Sequence, residues 1–193
     1  VRSSKGDIAY YPLAENLHYQ GQLHVSIAPA PQVDETLNQQ AQNIFNKLAE
    51  SLDYVGVLAV EFFQIGEQLL VNEIAPRVHN SGHWTMQGAD TCQFENHLRA
   101  VRGLPLGSTK VTSPTAMINI IGCKDFARDM LGIPGCHLHW YGKTPRKKRK
   151  MGHFNLCADN YAELGKTMLA LAEYVPIEYF PTLKDEAARL VKL

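Results

Sequence analysis

The chain is 193 residues long, with 45% apolar and 20% charged residues, and its 19 Lys and Arg balance 19 Asp and Glu. Such figures suit one large or two small globular domains, exclude a disordered or fibrous chain, and remove the general electrostatic argument for a nucleic-acid or membrane-surface binder. The balance hides a split: residues 143–150 hold Lys143, Arg146, Lys147, Lys148, Arg149 and Lys150 with no acid, which leaves 13 basic against 19 acidic residues elsewhere.

In chain order, Ile8 to Leu13 and Gly21 to Ala28 are β-rich runs separated by the polar stretch Glu15 to Gln20, which predicts a hairpin or adjacent strands. Leu37, Ala41, Ile44, Phe45, Leu48 and Leu52 make one apolar stripe of a helix that Asp34 can cap. Tyr54 to Phe63 and Gln68 to Ile74 flank a turn near Glu67 and read as a second hairpin. After a loop from Ala75 to Asp90, Phe94, Leu98 and Val101 mark a helix ended by Gly103 and Pro105. Beyond the polar linker Gly107 to Pro114, Ala116 to Ile121 and Cys136 to Tyr141 read as strands. Lys150 to Cys157 could return antiparallel to the latter, and Tyr161, Leu164, Met168, Leu171 and Ala172 give a last helical stripe. The expected fold class is α+β in two parts.

No apolar run approaches the roughly 20 residues that span a bilayer, so no membrane helix is expected. Cys92, Cys123, Cys136 and Cys157 lack C-x-x-C spacing and no signal peptide precedes them, which predicts reduced thiols in a cytoplasmic protein. The chain opens without Met on what looks like mid-sheet sequence, and reads as a piece of a longer one.

Three groups of residues carry chemistry. Pairing about Glu67 sets Glu61 opposite Glu73, where directly opposed Cβ atoms lie about 4.5–5.5 Å apart. A divalent cation would relieve their repulsion, and two carboxylates plus phosphate and water oxygens suit Mg²⁺ or Mn²⁺; two acids facing solvent on an edge hairpin are the alternative. The following loop crowds Arg77, His79, Asn80, Ser81 and His83 together, as sites built on rigid strands do. Arg77 offers a planar fork to a carboxylate-like or bicarbonate-like anion. His79 and His83 lack the H-E-x-x-H pattern of a zinc helix, and hydrogen-bonded loop histidines remain the other reading. The basic run Lys143 to Lys150 fits a nucleic-acid or nuclear-localisation patch, a solvated turn, or a phosphate-binding hairpin tip, and composition does not choose.

The segment Val71-Asn72-Glu73-Ile74-Ala75-Pro76-Arg77-Val78-His79-Asn80-Ser81-Gly82-His83-Trp84-Thr85 resembles the most characteristic stretch of the 5-(carboxyamino)imidazole ribonucleotide synthase family, the ATPase subunits of phosphoribosylaminoimidazole carboxylase. Similarity continues through Tyr11 to His18, Gln93 to Ala100, Leu104 to Leu106, Met117 to Gly122, His137 to Lys143 and Arg149 to His153. The resemblance implies an ATP-grasp carbon–nitrogen ligase of purine biosynthesis, which joins bicarbonate to the amine of aminoimidazole ribonucleotide with cleavage of ATP to ADP and phosphate. It implies that Glu61 and Glu73 hold magnesium, that Arg77, His79 and Asn80 line the bicarbonate and carboxyphosphate region, and that Lys143, Arg149 and Lys150 hold the ribonucleotide 5′-phosphate. It further implies the distal lobe of an ATP-grasp fold, an antiparallel sheet with helices, over residues 1–107. A small β-rich domain with a helix would follow over 108–193.

Partners implied are ATP, bicarbonate, aminoimidazole ribonucleotide and a second copy in a homodimer, with no nucleic acid and no membrane. The family's first half, with its glycine-rich phosphate loop and adenine pocket, has no counterpart here, so the chain alone is expected not to turn over. Where the family's basic hairpin usually has Pro-Gly, this chain has Lys147-Lys148. A related ligase with another acceptor amine, or a binding module using residues 143–150, are the competing functions.

Overall fold

Two antiparallel sheets organise the computed structural model, which describes all 193 residues. The residues group into two compact units, one of Val1–Leu13 with Ala30–Thr112 and the other of Ala14–Pro29 with Ser113–Leu193. The N-terminal hairpin is thus contributed to the unit made by the end of the chain. No helix is long and apolar enough to cross a membrane, and all four cysteines are free.

In the second unit, strands β1 (Glu15–Tyr19), β2 (Gln22–Ala28), β5 (Thr115–Ile121), β6 (Cys136–Trp140) and β7 (Lys150–Cys157) form one sheet in the order β1-β2-β5-β7-β6. Ala116, Ile118 and Ile120 of β5, Val25 and Ile27 of β2, and Phe154 and Leu156 of β7 are all buried in one apolar core. Helices α4 (Tyr161–Ala172) and α5 (Leu183–Leu190) add Leu164, Met168 and Leu171, and Leu183, Ala187 and Leu190. β5 is central and buried along its whole length, so its alternate residues Thr115, Met117, Asn119 and Ile121 are enclosed as well; Asn119 Nδ2 donates to Leu23 O at 2.9 Å.

The expected strand at Ile8 to Leu13 is not formed. That segment makes a bridge from Ile8 to Arg2, and the polar stretch read as its connector is β1 itself, paired from Glu15 opposite Ile27 to Tyr19 opposite Gln22. Pro12 cannot donate to a ladder, whereas β1 lies at the sheet edge, where polar side chains are tolerated. α5 is not among the expected elements, although Leu183, Ala187 and Leu190 stand at helical spacing.

In the first unit, Asp34 caps helix α1 (Glu35–Ser51), accepting from Leu37 N at 2.8 Å as its position predicts. Strands β3 (Ala59–Ile65) and β4 (Gln68–Ala75) form the second hairpin, starting later than Tyr54. Two short helical segments follow, α2 (Thr85–Gly88) and α3 (Gln93–Val101). α3 ends where expected, with Gly103 in the left-handed conformation at φ 66°, but its inner face is not the apolar one. Leu98 and Val101 are 62% and 46% exposed, while Gln93, Asn96 and Ala100 are buried. The reason lies in the neighbouring backbone: Asn96 Oδ1 accepts from Gly107 N at 2.8 Å, and Asn96 Nδ2 donates to Gly107 O at 3.2 Å and Tyr11 Oη at 2.8 Å. A chain segment that needs polar partners has selected the polar side of the helix.

Candidate functional site

Glu61 and Glu73 are opposed on β3 and β4, as the turn position predicts, though the route differs. From the turn, Ile65 faces Gln68 and Phe62 faces Val71; continued unbroken, that register would set Glu61 against Asn72. A bulge between Glu61 and Phe62 leaves Asn72 as the extra residue and advances Glu73 into register. Opposed residues share a face, so both carboxylates lie on one side of the hairpin. The Glu61 side chain is 14% exposed and Glu73 lies open.

The pair fits a hard divalent cation. Its donors are carboxylate oxygens on opposed residues, and Mg²⁺ characteristically takes only one or two protein carboxylates. His79 Nδ1 sits 3.8 Å from Glu61 Oε1, too far for a hydrogen bond. The same nitrogen accepts from Ser81 N at 3.3 Å and lies 2.8 Å from Ser81 Oγ. A backbone N–H can only donate, so Nδ1 acts as the acceptor in this contact and is turned toward Ser81 rather than Glu61.

The loop after β4 is held by a residue that the sequence patterns missed. Gln93, 2% exposed at the start of α3, uses Oε1 to accept from His79 N at 2.9 Å and Nε2 to donate to His79 O at 2.7 Å and His83 Nδ1 at 2.9 Å. Its backbone N–H donates to Thr85 Oγ1 at 3.0 Å, and that hydroxyl donates to Gly82 O at 2.7 Å. A Cβ at Gly82 would stand 2.6 Å from Gln93 Oε1, so the glycine leaves room for the amide. His83 stacks on Phe94, ring centroids 5.4 Å apart, and Trp84 is buried edge-on to Tyr11. Asn80 begins a short 3₁₀ turn, Asn80–Gly82, and Arg77 is exposed, its Nη1 donating to Val78 O at 3.0 Å. Of the predicted residues in this unit, the structure sets Glu61 opposite Glu73, places His79 Nδ1 3.8 Å from Glu61, and carries Arg77 and Asn80 on the clamped loop that follows.

The second predicted group lies in the other unit, on the β6–β7 connection. Arg149 and Lys150 are half-buried and Lys143 is exposed. Arg149 Nη1 donates to Thr144 O at 3.2 Å, Lys143 Nζ to Lys150 O at 3.5 Å, and Gly122 N to Arg149 O at 2.8 Å. Gln22 Nε2 donates to Lys148 O at 2.9 Å, tying the tip to β2. Lys143 and Arg149 are thus carried on a connection fixed at both ends and Lys150 opens the strand that follows it, an arrangement suited to a phosphate.

Arg149 N donates to Arg146 O at 3.1 Å, closing a four-residue turn whose third residue, Lys148, has φ 63°. That conformation costs an L-residue with a side chain roughly 1–2 kcal/mol and explains why Pro-Gly suits these two positions. Lys148→Gly is therefore expected to raise stability by about 0.5–1 kcal/mol, read as a higher thermal midpoint; an unchanged or lower midpoint contradicts it.

Two family models match successive parts of the chain. The ATP-grasp domain family matches residues 1–94, and the phosphoribosylaminoimidazole carboxylase C-terminal domain family matches residues 115–167. The N5-carboxyaminoimidazole ribonucleotide synthase of Vibrio cholerae is 57% identical over 191 residues, covering 98% of this chain and 50% of that protein. The crystal structure of N5-carboxyaminoimidazole ribonucleotide synthetase from Thermus thermophilus superposes with a TM-score of 0.88 at 54% identity, over 91% of this chain and 49% of that one. The Aspergillus clavatus N5-carboxyaminoimidazole synthase, solved with ADP and 5-aminoimidazole ribonucleotide, gives 0.79 at 34% identity, over 84% and 46%. The chain spans about half the length of the curated relatives it matches. With sequence likeness along nearly its whole length, both parts of the match in order and the same fold, the chain is similar throughout to one half of the N5-carboxyaminoimidazole ribonucleotide synthases.

Proposed function

We propose that this chain supplies the metal-binding acids and a substrate-phosphate grip of an ATP-dependent ligase. The enzyme carboxylates aminoimidazole ribonucleotide with bicarbonate, giving 5-(carboxyamino)imidazole ribonucleotide, ADP and phosphate. The observation that carries the reading is the bulge-set register of Glu61 opposite Glu73, immediately followed by the Gln93-clamped loop of Arg77, His79 and Asn80. Mg²⁺ or Mn²⁺ on the acid pair would neutralise charge at the nucleotide phosphate oxygens.

Arg77 presents paired N–H donors to bicarbonate as its oxygen attacks the γ-phosphoryl group, releasing ADP and leaving carboxyphosphate. His79 and Asn80 line that region, where polar side chains can meet developing oxygen charge. The ribonucleotide amine then takes the activated carboxyl group as phosphate leaves. In the second unit Lys143, Arg149 and Lys150 hold the ribonucleotide phosphate. A homodimer belongs to the same reading and rests on family resemblance.

The test is ATP turnover by a protein of the relatives' full length that carries this chain as its second half. Aminoimidazole ribonucleotide plus bicarbonate is expected to stimulate ADP release. Stimulation by a different acceptor amine, such as glycinamide ribonucleotide, and none by aminoimidazole ribonucleotide would overturn the reading. In the same protein, Lys150→Met is expected to raise KM for the ribonucleotide by about tenfold or more and to leave KM for ATP within about twofold, because only one ligand loses a charge-assisted bond. Equal changes in both constants would remove Lys150 from the phosphate site.

A further inference from the structure

Lys143 is exposed on the connection between β6 and β7, and a lysine stem in water is free to point its charge almost anywhere. Its ammonium nevertheless has a defined neighbour: Nζ lies 4.7 Å from the centre of the Tyr141 ring, within reach of a cation–π contact. Tyr141 is the first residue after β6 and remains tied to the sheet, its N–H donating to Met151 O at 3.0 Å. The hydroxyl at its far end lies 2.7 Å from His153 Nδ1.

His153, in turn, is 2% exposed on β7 and pairs with Asn119 on one side and His139 on the other. Its ring stacks on that of His139, centroids 4.5 Å apart and planes 14° from parallel. A rigid line of contacts therefore runs from the middle of the sheet to an exposed cation. Burial pushes the Tyr141 phenol up to about 12, so it keeps its proton at neutral pH and brings no negative charge to a site meant for phosphate.

We propose that Tyr141 is a positioning residue for substrate phosphate: anchored to the sheet through His153, it presents its ring face to Lys143 and holds that ammonium ready for the ligand. The inference rests on the reading of Lys143 as a phosphate ligand and names a residue that acts through it.

Ribose 5-phosphate binding to the 193-residue chain, measured by titration calorimetry at low salt, tests the coupling. Tyr141→Leu is expected to weaken binding by about 3- to 10-fold, the span of a partly exposed cation–π contact. Tyr141→Phe keeps the ring face but loses the hydroxyl contact with His153, so its binding should fall between that of the parent and that of Tyr141→Leu. In a Lys143→Met background the further change Tyr141→Leu should cost nothing more, because the residue through which the ring acts is gone. Full additivity of the two changes, an unaffected Tyr141→Leu variant, or no binding by the parent chain overturns the proposal. Failure of the wider reading looks different. Coupling between Tyr141 and Lys143 without aminoimidazole ribonucleotide-dependent turnover by the full-length protein sinks the reaction assignment alone. Turnover without coupling sinks this inference alone.

Discussion

Glu73→Gln, in a protein of the relatives' full length, is expected to lower metal-dependent ATP turnover by about 10³-fold, the scale set by losing one preorganised electrostatic group at the site of charge development. The same change should not harm the fold. Glu73 is exposed on β4, and it faces Glu61 directly across the ladder, where like charges destabilise the pair. Removing one charge is thus expected to raise the stability of the metal-free protein by a few tenths of a kcal/mol. Activity lost while stability rises is the signature of a group retained for function at the expense of the fold. Binding of Mn²⁺, followed by its paramagnetic resonance, should weaken in parallel with turnover, and Glu61→Gln should reproduce the result. Unchanged turnover at saturating metal would return both acids to an ordinary solvent-facing hairpin.

The acid pair was legible because a hairpin with a recognisable turn has few registers and side chains alternate with period two. What alternation could not show is the bulge at Asn72, which depends on how the two strands meet. The Asp34 cap and the stripes of α1 and α4 were legible for the same local reason. Elements chosen by their surroundings were not. β1 is polar because it lies at an edge, so the more apolar run Ile8 to Leu13 beside it looks more strand-like than β1 does. In α3, Leu98 and Val101 drew the apolar face to the wrong side, because the loop backbone at Gly107 and at His79 wanted amide partners and Asn96 and Gln93 supply them. Gln93 looks, in sequence, like any solvent-facing glutamine at a helix start; only the spacing of a loop dense in polar groups before it hints that something must hold them. Tyr141 and His153 were visible within the His137 to Lys143 and Arg149 to His153 segments, but their contact requires the β6–β7 register that sets His139 opposite His153.

Gln93→Leu carries the largest expected effect on stability. The side chain is buried and all of its hydrogen-bonding capacity that the loop uses is directed at His79 and His83. An apolar replacement of similar volume removes three hydrogen bonds at once, leaving the His79 N–H and C=O to find new partners, and a cost of about 3 kcal/mol is expected. The loss should begin locally: the amides of His79 and Ser81 are expected to exchange with solvent faster than those of β3 and β4, since the clamp holds the loop and the ladder holds the hairpin. Turnover should fall as well, but with stability falling alongside it, the reverse of the Glu73→Gln outcome. Gly82→Ala presses on the same contact from the other side, with its Cβ 2.6 Å from Gln93 Oε1, so its cost should largely vanish in a Gln93→Ala background, where the opposing amide is absent. Comparing the single and double variants by chemical denaturation separates this shared contact from two independent defects. Additive losses, or His79 and Ser81 amides that remain as protected as in the parent, would mean that something other than Gln93 holds the loop in place.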